Sequence, residues 1–471
     1  MESVNPRSAA GSTGLHIVAL VLLGVGLAAL VARAPLPVVL GGVLVFVFVM
    51  AFLQRPDLGL LLTLVARTAT DIGYVLLGDA PASEPLRLAA LPNAVLISVL
   101  VLAGGMFILR RQVPLIRLPG GVLMALLLVT GLMGVLRSGR LLSGLAEWLP
   151  IVGVFVAYGL AASQFQTRRR IKHVIVVFAA SLVIPALVGF WQWSGGTYFA
   201  VPELGVPRVS ATFAHPNAFG IYLVTMLSVF LGQAFGRGGW RRLLAWSYVV
   251  TCAVLIGMTF ARVAWVGALV VVATVGILRS PVLLLAIPAV AVMAGRVPEI
   301  SARLADPLGG SFADRLVLWQ VMLERWAEVT GAEQSALLVT LNRLVGLGPG
   351  AVGALTAPVR GIPFGAHNDY LLLLVEYGIF GLALYVVLTA VLIRLAYRAW
   401  RASRDAMLQA VALGCLGIAL AFPVMGLTDH VVGQTVNQLY FWTLVGVTVR
   451  IMRMAPGGDG GPDSPATVPR A

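Results

Sequence analysis

The sequence predicts an all-α, polytopic transmembrane protein of about 12–14 spans with one large loop outside the cytoplasm. Three observations predict it. Of 471 residues, 59% are hydrophobic and only 11% charged, where a soluble domain carries about 25% charged residues. Apolar runs such as 15–32, 36–53, 243–260 and 373–393 approach or reach the roughly 20 residues with which an α-helix crosses a bilayer. The alternating ten-residue segments of a membrane β-barrel do not occur in the chain.

Breaks at arginine clusters and at Pro/Gly punctuation divide the chain. Residues 1–14 are expected to be a disordered cytoplasmic N-terminus. A helical bundle follows over 15–295, with spans near 15–32, 36–53, 58–77, 88–109, 119–136, 145–162, 173–193, 216–234, 243–260, 263–278 and 281–295. Arg7, the run 15–32 and Ala32-Arg33-Ala34 mimic a cleavable signal peptide. Because another span follows at once, the run is read as an uncleaved first helix. Residues 296–368 form the large loop. Spans near 369–393, 406–427 and 436–452 complete the membrane part, 369–454, and the Gly/Pro-rich tail 455–471 is expected to be disordered and cytoplasmic.

The net charge of +14 does not point to nucleic acid, because of where the cations fall. They cluster in short breaks between apolar runs: Arg110, Arg111 and Arg117; Arg168 to Arg170 with Lys172; Arg237, Arg241 and Arg242; Arg394, Arg398, Arg401 and Arg404; Arg450 and Arg453. Threading the spans with the N-terminus inside puts every one of these clusters on the cytoplasmic side, as the positive-inside rule requires. Cys252 and Cys415, far apart in apolar runs, read as small buried hydrophobes rather than a disulfide or thiolate site.

The same threading leaves loop 194–215, the junction near Arg262 and loop 296–368 outside. In the large loop, Phe312, Leu316, Trp319, Leu323 and Trp326 recur at spacings of four and three, with Asp314, Arg315, Glu324, Arg325 and Glu328 on the polar side. A second stripe runs through Leu337, Leu341 and Leu344. Amphipathic helices lying on the membrane surface are expected.

The outer face should be poor in positive charge, yet Arg208, Arg262, Arg315, Arg343 and Arg360 fall there. A guanidinium is a planar fork of donors suited to phosphate. Arg262, between two apolar stretches, costs at least a few kcal/mol if it enters hydrocarbon unpaired. In Arg208-Val209-Ser210-Ala211-Thr212-Phe213-Ala214-His215-Pro216-Asn217, Pro216 suits the first helical position, and His215 or Thr212 suits the cap. In Gly365-Ala366-His367-Asn368-Asp369-Tyr370-Leu371, Asn368 or Asp369 caps a new helix, leaving His367 at its outer mouth. Glu376 lies on the same helix face as Asp369, seven residues on and within the membrane.

These motifs resemble the O-antigen ligase and O-antigen polymerase superfamily of integral-membrane glycosyltransferases. The resemblance covers roughly residues 140–450. It rests on Arg208 with Thr212 to Asn217, on Ala261-Arg262-Val263, on Arg315 and Trp319 with Gly346 to Gly350, and on His367 to Leu382. Ala261 and Val263 depart from the small polar and glycine residues usual beside the helix-end arginine. The resemblance implies a GT-C-like bundle in a bacterial inner membrane with its active site facing the periplasm. It implies a donor glycan on undecaprenyl pyrophosphate, embedded in membrane lipid, and an acceptor hydroxyl on a glycan or on lipid A core.

On physical grounds Arg208 and Arg262, with Arg315, are the candidate pyrophosphate ligands. His367 is the candidate base, and Asn217, Asn368, Asp369 and Glu376 are candidate supporting residues, any of the last three suited to orient the imidazole. No Asp-x-Asp and no His/Cys/carboxylate cluster at ligand spacing occurs in the sequence, so metal- and cofactor-independent transfer is expected. The alternatives are a polymerase of the same family and a polysaccharide or lipid transporter. The second is disfavoured by the lack of an internal repeat.

Overall fold

The computed structural model describes residues 36–69, 91–195, 199–200, 207–236, 238–298, 301, 311–330, 335–360 and 365–455. The expected first span and both tails lie outside these residues. Among the described residues the regular structure is helical, apart from one antiparallel pairing of Phe199–Ala200 (β1) with Pro207–Arg208 (β2).

The helices are α1 (Leu36–Gln54), α2 (Pro56–Arg67) and α3 (Leu91–Val99), which continues through a π-helical turn, Leu100–Gly104, into α4 (Gly105–Arg110). Then come α5 (Gly121–Arg137), α6 (Leu141–Gln164) and α7 (Arg168–Trp193). After β2 follow α8 (Pro216–Gly236), α9 (Trp240–Met258), α10 (Arg262–Leu278) and the short α11 (Ala286–Ala294). Next are α12 (Ser311–Val329), α13 (Ala336–Val345) and α14 (Ala351–Arg360). The last three are α15 (Asp369–Ala402), α16 (Ala406–Met425) and α17 (Thr435–Met454).

Among the described residues, seven helices are long and apolar enough to cross a membrane: Asn93–Arg110, α6, α7, α8, α9, α15 and α16. This is the architecture of a multi-pass helical membrane protein. The expected span at 281–295 is not a single helix. It opens as a 3₁₀ segment, Pro281–Leu285, and only nine residues are α-helical, because Pro288 has no amide to donate back to the Leu284 carbonyl as a continuous helix from 281 would require. Of the expected span at 58–77, residues up to Arg67 are helical, Thr68 and Ala69 form a turn, and 70–77 lie outside the described residues.

The core is built around α8, which buries 89% of its apolar window against 28% for α9. Backbones approach closely there. A Cβ at Gly232 would stand 2.4 Å from the Ala410 carbonyl oxygen, and one at Gly414 would stand 2.9 Å from the Val229 Cα. Small residues let α8 and α16 touch backbone to backbone, the packing mode open to helices surrounded by lipid.

Helix α15 is broken at Gly378 (φ 69°, ψ −173°), a conformation almost closed to side-chain-bearing residues. Its first arm, Asp369–Tyr377, and the second, from Ile379 on, therefore run in different directions. The break receives the turn after α13: Leu347 N–H donates to the Val375 carbonyl (2.9 Å) and Gly348 N–H to that of Glu376 (3.0 Å).

Helix α12 carries a rotated version of the expected stripe. Leu318 and Met322 are buried while Leu316 and Leu323 are exposed, because Arg315 and Trp319 turn inward to donate to the Thr428 and Ala366 carbonyls. In α13 the leucines face outward: Leu337, Leu338 and Leu344 are exposed and Asn342 is buried against Arg137.

Candidate functional site

The segment leading into α8 is pinned residue by residue. Val209 N–H donates to the Met258 carbonyl at the end of α9 (3.1 Å). Buried Gln192 of α7 accepts from the amides of Ser210 (3.1 Å) and Ala211 (2.8 Å). Phe213 packs on Phe219 and Tyr222. The α8 terminus is held by His215, whose Nδ1 accepts from the Asn217 amide (3.0 Å). Burial first, then the Arg208 charge, pushes the His215 imidazole down to about 4, so it is a neutral acceptor at neutral pH.

Arg208 is thereby held in the interior. Its Nε donates to the Thr259 carbonyl (2.9 Å), and its Nη2 donates to Asn217 Oδ1 (2.7 Å). Asn217 Nδ2 in turn donates to Asp429 Oδ2. The other carboxylate oxygen, Oδ1, accepts from the His430 amide (2.7 Å) and meets His367 Nδ1 at 3.2 Å. One hydrogen-bonded chain thus joins Arg208, Asn217, Asp429 and His367. Burial opposes the Asp429 charge, but the His367 bond and the nearby Arg315 charge outweigh it and hold the carboxyl well below the usual carboxylate range.

His367 adopts a left-handed backbone (φ 46°), uncommon for a residue with a Cβ. Its neighbours impose it. The Ala366 carbonyl accepts from Trp319 Nε1 (2.7 Å). Asn368 Oδ1 caps α15, accepting from the Tyr370 (3.0 Å) and Leu371 (3.1 Å) amides, while its Nδ2 donates to the Leu427 carbonyl (3.0 Å). The Asp369 amide donates to the Gly426 carbonyl (2.8 Å), and its buried carboxylate accepts from the Val432 amide (3.1 Å). Asn368 and Asp369 thus bolt the segment leading into α15 to the 426–432 loop, which carries Asp429. The imidazole remains 21% exposed.

Arg315 donates through Nη1 to the Thr428 carbonyl. Burial disfavours its charge, Asp429 supports it, and Arg262, at the first position of α10, opposes it. The two guanidiniums are therefore within electrostatic reach of each other. Arg208, Arg262, Arg315, Asn217 and His367, distant in sequence, share one locality. Cations outnumber carboxylates there.

Glu376 is not in it. Its Oε1 accepts from the Val352 amide (3.2 Å), capping α14 instead of touching His367. The carboxylate that meets His367 is Asp429, not Asp369 or Glu376, which accept from the Val432 and Val352 amides instead. Sequence reasoning missed Asp429. Its signal was an acid in the short connection between the last two apolar runs, on the side of the membrane where threading had put His367.

Among the described residues no three His, Cys, Asp or Glu side chains converge as metal ligands. No protein-family model matches the chain, and no curated protein matches it.

Proposed function

We propose that the chain is a membrane glycosyltransferase that moves a glycan from an undecaprenyl-pyrophosphate carrier to an acceptor hydroxyl outside the cytoplasm. The observation that carries this reading is the chain from Arg208 through Asn217 and Asp429 to His367, with Arg315 and Arg262 beside it. In this reading the guanidiniums are the anion-binding face, and the partly exposed imidazole held by Asp429 is the base beside it.

The chemistry follows from hydrogen-bond inventory. An ionised Asp429 accepts a hydrogen bond from His367 Nδ1–H, which fixes the tautomer and leaves the Nε2 lone pair free as acceptor. Nε2 removes the proton of the acceptor hydroxyl as its oxygen bonds to the anomeric carbon. The bond from that carbon to the pyrophosphate oxygen breaks, and its electron pair leaves with the pyrophosphate. Guanidiniums at Arg208, Arg262 and Arg315 stabilise the charge that grows on that group, each charge-assisted hydrogen bond contributing roughly 1.5–3 kcal/mol. Asp429 stabilises the imidazolium until it returns its proton to water. A positioned base of this kind contributes about 10²–10⁴-fold.

The test is reconstitution of purified protein in liposomes with a lipid-pyrophosphate-linked glycan and a hydroxyl acceptor, in excess chelator. A glycosylated acceptor is expected. Glycan moved across the bilayer without a new glycosidic bond would assign a transporter instead. Repeat units lengthening on the carrier would assign a polymerase.

A further inference from the structure

A second polar cluster lies beside the first arm of α15. Glu376 accepts from the Val352 amide, and both Glu147 and Arg140 stand within electrostatic reach of its carboxylate. Arg140 Nη1 donates to the Gly350 carbonyl (3.4 Å), and a Cβ at Gly350 would lie 3.7 Å from Glu147 Cγ. Glu147 is exposed, seven residues into the apolar helix α6, and belongs to none of the ion pairs among the described residues. A carboxylate on a membrane-spanning helix is costly unless something serves it.

A second observation points to a ligand. The Tyr377 side chain is 3% exposed, and its hydroxyl has no hydrogen-bond partner among the described residues. That hydroxyl is electrostatically coupled to Glu376 and Glu147. Trp148 lies against the same small residue as Tyr377: a Cβ at Gly131 would meet Tyr377 Cε1 at 2.8 Å and Trp148 Cδ1 at 2.9 Å. The Trp148 Nε1–H is spent on the Leu128 carbonyl (2.9 Å), so what it offers is its ring.

The mixture of charges selects the ligand class. Arg140 opposes a cation, and Glu147 with Glu376 opposes an anion. A neutral polyol, whose hydroxyls both donate and accept and whose ring carbons present an apolar face, satisfies every group. We infer that Arg140, Glu147, Trp148 and Tyr377 form a subsite for a neutral sugar ring of the acceptor glycan. This rests on the glycan-transfer reading. Glu376 is seven residues along the arm from Asp369, about 10 Å, so the subsite would hold a ring removed from the one that reacts at His367.

The test is saccharide binding to the full-length chain in lipid nanodiscs, read by saturation-transfer NMR with maltotriose, cellotriose and chitotriose. At least one should bind, and Glu147→Gln should weaken it about tenfold or more, as loss of a charge-assisted hydrogen bond would. Tyr377→Phe should weaken it too, and His367→Ala should not. An unchanged thermal midpoint for Glu147→Gln shows that the fold is intact. If no trisaccharide binds the wild type, or Glu147→Gln binds equally well, the subsite is refuted. Binding is read without turnover. A chain that binds but fails to transfer overturns the transferase reading alone, and one that transfers with Glu147→Gln unaffected in binding overturns the subsite alone.

Discussion

His367 is held in a backbone conformation that L-residues with side chains seldom adopt, and such strain persists only where the surroundings over-determine it. Here they do: Trp319 fixes the residue before it and Asn368 the residue after it. The four residues with the most chemistry, Arg208, Arg262, Arg315 and His367, were legible in the sequence as out-of-place charges and a helix-mouth imidazole. Asp429 was not, because one acid in a connection of nine residues carries no pattern, and its meaning appears only when the loop folds onto α15. The same loop makes a pH prediction. Burial pushes His430 down to about 4, and His215 stands equally low. Both are depressed from 6.5, so between pH 6.5 and 4 the unfolded chain takes up protons that the folded chain refuses. The two histidines should therefore lower stability as pH drops through that window. Thermal unfolding of detergent-purified protein reads this, and His430→Gln should flatten part of the slope. A midpoint that rises on acidification to pH 4 would contradict it.

At the scale of elements, helix starts were readable where chemistry marks them: Pro216 opens α8 and Asn368 caps α15, as their positions announced. Periodicity was less reliable in α12, where Arg315 and Trp319 seek carbonyls and rotate the helix away from the orientation its leucines favour. The break at Gly378 was unreadable, since glycine within an apolar run is also common in unbroken membrane helices. The break receives the turn that leads into α14 and so brings the Val352 amide to Glu376, which lies about two helical turns from Asp369. A Cβ at Gly378 would stand 2.3 Å from the Leu344 carbonyl oxygen. Gly378→Ala should cost about 1–3 kcal/mol from backbone strain alone, with the clash added. It should lower the thermal midpoint and expose α13 to protease. A variant as stable and resistant as wild type would show that the arm bends for another reason.

At the scale of the molecule, helix connectivity sorts charge between the two ends of the bundle. Arg168 at the start of α7 pairs with Asp405 before α16 (2.7 Å), and by the positive-inside rule we propose that this arginine-rich end is the cytoplasmic one. Impermeant maleimide tests this, because Cys252 and Cys415 are buried. In intact cells with a permeabilised outer envelope, Ser143→Cys should label from outside and Gln166→Cys only after lysis, both positions being exposed. The reverse pattern would put the imidazole in the cytoplasm and exclude an extracytoplasmic reaction. In the proposed reaction His367 and Asp429 act as one proton-accepting unit beside a cationic face. The most direct measurement is glycan transfer in proteoliposomes by wild type, His367→Ala, Asp429→Ala and the double variant. Each single change should lower the rate by about 10²–10⁴-fold, and the double should be no slower than His367→Ala, because groups that act as a unit are not additive. Full transfer by His367→Ala, or losses that multiply in the double variant, would contradict the account.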